Sequence, residues 1–187
     1  QNAAFASAVL LALGFTTEKI KEALEAFESV EGRLQYLGLA DGVKIYNDTT
    51  ATTPEATLAA LSALESMSGR TTSQHDESKF SQPVRTSIIL IMGGTDKKLD
   101  MNALLAKLTD MKRVILLAGT GTDRIKHELT GSMIYHTLSD AVIDAFAHAK
   151  AGDTILFSPA FTSFGMFKNE YDRGDQFVEL VEKHYGK

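Results

Sequence analysis

Apolar positions run along this chain in two rhythms, and the switch between them sets its organisation. From residue 2 to residue 13, "NAAFASAVLLAL" is apolar or small at almost every position, which predicts a buried helix stopped by Gly14. A second helix is expected from Thr17, read as its cap, with Ile20, Ala23, Leu24 and Phe27 at helical spacing on one face. Around Glu31 and Gly32 the pattern changes. "LQYLGLA" and "VKIYN" read as two strands, and Asp41-Gly42 between them as a hairpin turn.

After the hairpin, short unbroken apolar runs alternate with helical patterns. Helices are expected over residues 54–67, 100–109, 123–129, 139–150 and 163–185, and strands in "SIILIMGG", "RVILLAG", "MIYH" and "TILFSPA". Leucine and β-branched runs between helices are the pattern of a mostly parallel sheet covered on both faces, so the chain reads as α/β. The stretch 66–85 breaks the rhythm: it is polar, aperiodic and long for a connection. Residues 68–85 are expected to form a mobile surface insertion with fast hydrogen exchange. His75-Asp76-Glu77 lies within it without a second ligand pair at metal-binding spacing, and reads as solvated loop. His127, His136, His148 and His184 are scattered singly and read as ordinary surface or core residues.

Composition narrows the function classes. With 187 residues, 44% hydrophobic and a formal charge of -5, the chain can build one good core and part of a second. The acidic balance argues against a nucleic-acid partner. The chain has no cysteine, which excludes disulfides, thiolate zinc sites and a cysteine nucleophile and fits a cytoplasmic location. The apolar opening is too short to span a membrane and lacks the basic residues that precede a signal sequence, so no membrane insertion is expected. Its start without methionine, in what reads as the middle of a helix, suggests a piece of a longer protein.

Ligands of an open parallel sheet bind outside the carboxyl ends of its strands. Those ends carry Asn47, Asp48 and a threonine cluster; Gly93, Gly94, Thr95, Asp96, Lys97 and Lys98; the run "GTGT" from Gly119; and "SPAFTSF" from Ser158. Thr53-Pro54 is a good helix start, which explains two residues of "YNDTTATTPEAT" but not Asn47, Asp48 or Thr52. Gly93-Gly94 reads equally well as a tight turn. "GTGT" reads as a strand-to-helix loop, since no Gly-Lys-Ser/Thr follows it and no phosphate-binding P-loop occurs in the chain. Lys97 is either a solvated lysine or an ammonium aimed across the sheet edge at an anion. "SPAFTSF" adds hydroxyls and the free N–H groups of an expected helix start. Lysine, hydroxyls and helix start together suggest a substrate that carries a carboxylate.

Taken in order, "GRLQYLG", "GVKIYNDTTATTPEAT", "IILIMGGTDKKLD" and "GDTILFSPAFTSFGMFKNEYDRGDQF" resemble the Mur ligases of peptidoglycan synthesis, and among them the D-glutamate-adding branch. The resemblance covers nearly all of the chain. It implies a Rossmann-like C-terminal domain over residues 32–187, with residues 1–31 as the last two helices of a central ATPase domain, and a chain that is inactive by itself. It further implies a cytoplasmic, monomeric enzyme. This enzyme would use ATP and Mg2+ to join D-glutamate to UDP-N-acetylmuramoyl-L-alanine through an acyl phosphate and a tetrahedral intermediate, with the magnesium ligands mainly in the upstream domain. By matching position, Asn2 would contact the adenine, Arg33 the ATP phosphates and Asp48 the ribose. Thr52, Lys97, Ser163, Phe164 and the backbone after Ser163 would face the amino acid, and Lys97 and Arg33 would assist the chemistry.

The chain departs from the family pattern in three places. Gly32-Arg33 stands where many members have His-Arg, and Thr50 where they have lysine. Glu170, followed by Tyr171, stands where some have a phenylalanine on the amino acid. Two alternatives stay open. One is a sister ligase of the folylpolyglutamate or L-alanine-adding type; the diaminopimelate-adding branch has an Asn-Pro-Arg motif that is absent here. The other is a non-catalytic nucleotide-binding domain, whose Gly-x-Gly-x-x-Gly turn is also absent.

Overall fold

The computed structural model describes residues 2–27, 29–67 and 86–185. The expected insertion, with His75, Asp76 and Glu77, lies outside them. The chain divides into two compact units, residues 1–30 and 31–187.

The first unit is a pair of helices, α1 (Asn2–Ala12) and α2 (Thr17–Glu25). Two of the readings above are corrected here. The cap of α2 is Thr16, whose hydroxyl accepts from the Lys19 N–H at 3.4 Å, and Thr17 is the first helical residue. The helix expected to be buried is not: within this unit Phe5, Val9, Leu11 and Leu13 are all exposed, and among its described residues only Ile20 is buried. A helix that is apolar all round needs neighbours on several sides, and α2 covers only one.

The second unit opens with a hairpin, β1 (Gln35–Ala40) and β2 (Val43–Asn47). Its turn residues Asp41 and Gly42 both have positive φ, +49° and +79°, the geometry that Asp-Gly adopts in a two-residue loop. Then follow α3 (Pro54–Met67), β3 (Ile88–Gly93), α4 (Asn102–Leu108), β4 (Arg113–Leu117) and α5 (Thr120–Ile125). The chain ends with β5 (Met133–Tyr135), α6 (Leu138–His148), β6 (Thr154–Phe157) and α7 (Glu170–Tyr185). The six strands form one sheet in the order β1-β2-β6-β3-β4-β5, parallel apart from β1. The fold is the expected α/β, mostly parallel sheet.

Period-two alternation in β3 explains the two-sided core. Leu90 and Met92 face one layer with Leu61, Leu64, Leu104 and Leu108; Ile89 and Ile91 face the other with Val142, Ala145 and Phe177. Thus α3, α4 and α5 cover one face while α6 and α7 cover the other. The Phe157 and Phe177 rings lie 4.6 Å apart between centroids, tying β6 to α7. The chain winds outward from β3 through β4 to β5, then returns to the other side of β3 as β6. That reversal opens a crevice at the carboxyl ends of β3 and β6.

Two helix starts differ from expectation. α5 begins at Thr120, so "GTGT" forms its first turn rather than a loop before it. α7 begins at Glu170 rather than Ser163. Gly165, at φ +96°, breaks any helix through that stretch, and Asn169 caps the true start by accepting from the Asp172 N–H at 2.8 Å. The Asp172 carboxylate in turn accepts from the Lys168 N–H at 3.0 Å. No helix N-terminus therefore stands behind Ser163.

Arg173, in the first turns of α7, is fully buried, and none of the ion pairs among the described residues includes it. Its guanidinium donates to the Thr49 carbonyl at 2.6 Å, the Thr49 hydroxyl at 3.1 Å and the Phe161 carbonyl at 3.1 Å. Burial lowers its pKa to about 10, so it stays protonated at neutral pH. Replacing it by leucine strands the two carbonyls, while the Thr49 hydroxyl keeps its bond to the Glu170 carbonyl at 2.8 Å. Arg173→Leu should lower the unfolding free energy by about 3 kcal/mol in urea denaturation. Lys126→Ala, which removes an exposed ion pair with Asp123 at 2.8 Å, should change it by less than about 0.5 kcal/mol.

Candidate functional site

The site is organised by the segment that continues β6 beyond its last residue. Ser158 to Ser163 runs between the corner after β2 and the loop after β3, because β6 lies between those strands. It bonds to both sides. The Ala160 N–H donates to the Ala51 carbonyl at 2.9 Å, and the Gly93 N–H donates to the Pro159 carbonyl at 3.0 Å. Thr95 and Thr162 form a two-bond antiparallel bridge, at 3.0 and 3.2 Å. Ala160 has φ +61°, a strained conformation for a residue with a Cβ, where the segment turns between the two flanks.

Three glycines let these backbones meet. A Cβ on Gly94 would come within 2.3 Å of the Thr162 carbonyl, and one on Gly119 within 2.4 Å of the Gly94 carbonyl. A Cβ on Gly121 would strike the Phe161 ring at 2.3 Å. The Gly-Gly and "GTGT" runs are therefore explained by close backbone packing, with the Gly121 N–H donating to the Gly94 carbonyl at 2.9 Å.

On the β2 side, Asp48 is buried and both its oxygens are engaged. One accepts from the Leu34 N–H at 2.9 Å and the other from the Ser158 hydroxyl at 2.7 Å. Burial raises its pKa to about 6, against the opposing pull of those two bonds and of the Arg33 charge. Arg33 itself is exposed, and its guanidinium makes no hydrogen bond or salt bridge among the described residues. Asn2 belongs to the other unit, and its side chain lies outside the described part.

On the β3 side, Lys97 is exposed and its ammonium donates to the Thr52 hydroxyl at 3.1 Å. Two residues expected to share a ligand thus meet across the crevice. Ser163 follows the Thr95–Thr162 bridge directly and is buried, while Phe164 is exposed and its carbonyl accepts from the Thr95 hydroxyl. The Ser163 hydroxyl makes no hydrogen bond among the described residues. A cavity of about 370 Å³ lies at this edge, lined by Gly94, Thr95, Gly119, Ser163 and Phe164 together with His136 from the end of β5. His136, read from sequence as an ordinary histidine, is a cavity residue. Arg173 and Arg124 were also missed as contributors to the edge. Buried contacts with backbone carbonyls leave no spacing signal in a sequence.

Among the described residues no group of three or more histidine, aspartate or glutamate side chains is placed to hold a metal. Arg33 does fit an anionic phosphate, being an exposed guanidinium with no salt bridge among the described residues. No helix among the described residues is long and apolar enough to cross a membrane.

Comparison with known proteins agrees with this architecture. The Mur ligase, glutamate ligase domain family matches residues 32–161. UDP-N-acetylmuramoylalanine–D-glutamate ligase of Hydrogenobaculum sp. is 37% identical over 98% of this chain and 40% of its own length. The protein of the same description from Aquifex aeolicus is 35% identical over 97% of this chain and 40% of its own length. The chain thus spans about two fifths of the curated relatives it matches. Among solved structures, the MurF ligase of Thermotoga maritima in complex with ADP superposes with a TM-score of 0.62 at 20% identity, covering 94% of this chain and 36% of that one. A bifunctional folylpolyglutamate synthase/dihydrofolate synthase with Mn, AMPPNP and L-glutamate bound gives 0.61 at 18% identity, covering 96% and 39%.

The buried Asp48 generates a testable pH dependence. Its folded pKa of about 6 lies above the value near 4 of a free aspartate, so folding favours its protonated form. The stabilisation this provides is complete below about pH 4 and is lost as pH rises through about 6. Asp48→Asn should remove that component from the stability profile measured between pH 4 and 7. An unchanged slope would show that Asp48 titrates normally.

Proposed function

This chain belongs to the Mur ligase, glutamate ligase domain family, and from that premise we propose that it is the amino-acid-binding part of an ATP-dependent ligase joining D-glutamate to UDP-N-acetylmuramoyl-L-alanine. The reading is supported by the relatives of that description and by the site geometry. The observation that carries it is the meeting of Lys97 with Thr52 at 3.1 Å, at the sheet edge that also carries Ser163, whose hydroxyl makes no hydrogen bond among the described residues. An ammonium and two hydroxyls at one sheet edge suit the carboxylates of an acidic amino acid.

In this reading ATP, with Mg2+ held elsewhere in the protein, activates the substrate carboxylate for attack by the amine. Lys97 neutralises a carboxylate of the incoming D-glutamate, releasing Thr52 to accept or donate a second bond. Ser163 fixes the other carboxylate, and Phe164 borders the ligand from the cavity rim. These contacts hold the amine in one orientation, which makes its attack on the activated carboxylate effectively unimolecular. Arg33 offsets phosphate charge on the nucleotide side, and Asp48 holds the ribose, for which each of its carboxylate oxygens keeps a spare lone pair. Asn2 contacts the adenine, and residues 1–31 belong to the preceding ATP-binding domain, with residues 32–187 as the domain that brings in the amino acid. The full-length enzyme acts as a cytoplasmic monomer.

The test is a kinetic split in the full-length protein. Lys97→Ala should raise the KM for D-glutamate by about a hundredfold, the scale of a lost charged hydrogen bond, and leave the KM for ATP within about twofold. Thr52→Val should act in the same direction, more weakly. Equal effects on both substrates would remove the assignment.

A further inference from the structure

Lys97 is held in place from outside the crevice, and the holder is not among the ligand-facing groups. The loop that carries it, residues 95–99, is tied at Thr95 to the continuation of β6 and, beyond Thr95, to α5. The Arg124 guanidinium pairs with the Asp96 carboxylate at 3.0 Å and donates to the Leu99 carbonyl at 2.9 Å, clasping the loop on both sides of Lys97. Thr120, the first residue of α5, accepts from the Asp96 N–H at 3.0 Å. Inside the loop, the other Asp96 contact is from the Lys98 N–H at 2.8 Å, and Lys98 sits at φ +59°, a conformation that a side-chain-bearing residue keeps only when its surroundings enforce it. Lys97 is itself exposed, and its ammonium bonds only to Thr52 among the described residues.

We infer that Arg124, acting through Asp96, is a positioning residue for Lys97 and so sets the affinity for the amino-acid carboxylate without touching the ligand. The inference rests on the role proposed above for Lys97. Physically, a lysine on a free loop samples many directions and must give up that freedom on binding each ligand; a clasped loop has given it up in folding. Both contacts come from one guanidinium nitrogen, Nη2, at the end of a side chain long enough to reach the loop from α5.

The experiment is a set of variants in the full-length enzyme, with KM for D-glutamate, KM for ATP, kcat and thermal midpoint measured for each. Arg124→Ala is expected to raise the KM for D-glutamate about fivefold, the scale of a partly exposed ion pair, with ATP KM, kcat and midpoint nearly unchanged. Arg124→Lys should recover part of the loss. In a Lys97→Ala background, Arg124→Ala should cause no further rise, because its effect travels through the lysine. If Lys97→Ala raises the KM for D-glutamate and Arg124→Ala does not, this inference is wrong and the site reading stands. A full additional fivefold rise in the double variant would also overturn it, by giving Arg124 an independent role. If Lys97→Ala itself leaves that KM unchanged, the site reading falls and this inference with it.

Discussion

A buried arginine with no salt bridge among the described residues is an expensive object, and this fold depends on one. Arg173 reaches from α7 to Thr49 on one side and Phe161 on the other. It thereby joins the corner after β2 to the continuation of β6, and both bear on the crevice. Desolvating a guanidinium is unfavourable unless its N–H groups are well used. Here two carbonyls and a hydroxyl use three of them, and the geometry so fixed places Thr52 three residues from one anchor and Ser163 two residues from the other. The strained backbone at Ala160 is tolerated within the same frame.

From that frame the edge of the second unit separates into two chemistries. Asp48 and Arg33 lie on the side of β2, where one carboxylate is buried and bonded and one cation stands free. Thr52, Lys97 and Ser163 lie around the continuation of β6, where Lys97 meets Thr52 and Ser163 lines the cavity. Glycines at 94, 119 and 121 make the second arrangement possible, since only backbone without side chains lets three strand ends approach this closely. A ligase that must bring a nucleotide and an amino acid to one carbonyl needs such a division of charge.

The parts legible in the sequence were those governed by local periodicity. The Asp-Gly hairpin, the α3 helix from Pro54 and the fully buried run of β3 all followed from pattern and turn chemistry. Lys97 and Thr52 were legible as candidates because each follows a strand, and the structure adds their contact. What escaped was set by tertiary packing. The apolar run of α1 looked buried because hydrophobicity says nothing about how many neighbours are available. The late start of α7 depended on Gly165, on the Asn169 cap and on the Asp172 carboxylate that accepts from the Lys168 N–H, a signal present in the sequence but outweighed by the apolar spacing around it. Arg173 and Arg124 work through backbone carbonyls and a loop carboxylate, and such partners leave no motif.

The central claim is that this edge selects an acidic D-amino acid. It is tested most directly by giving the full-length protein ATP, Mg2+ and UDP-N-acetylmuramoyl-L-alanine, and measuring phosphate release with D-glutamate, L-glutamate, L-alanine, L-lysine and meso-diaminopimelate in turn. Release with D-glutamate alone is the predicted result. Release with another amino acid, or with none, would contradict the assignment of Lys97, Thr52 and Ser163 as the residues that hold it.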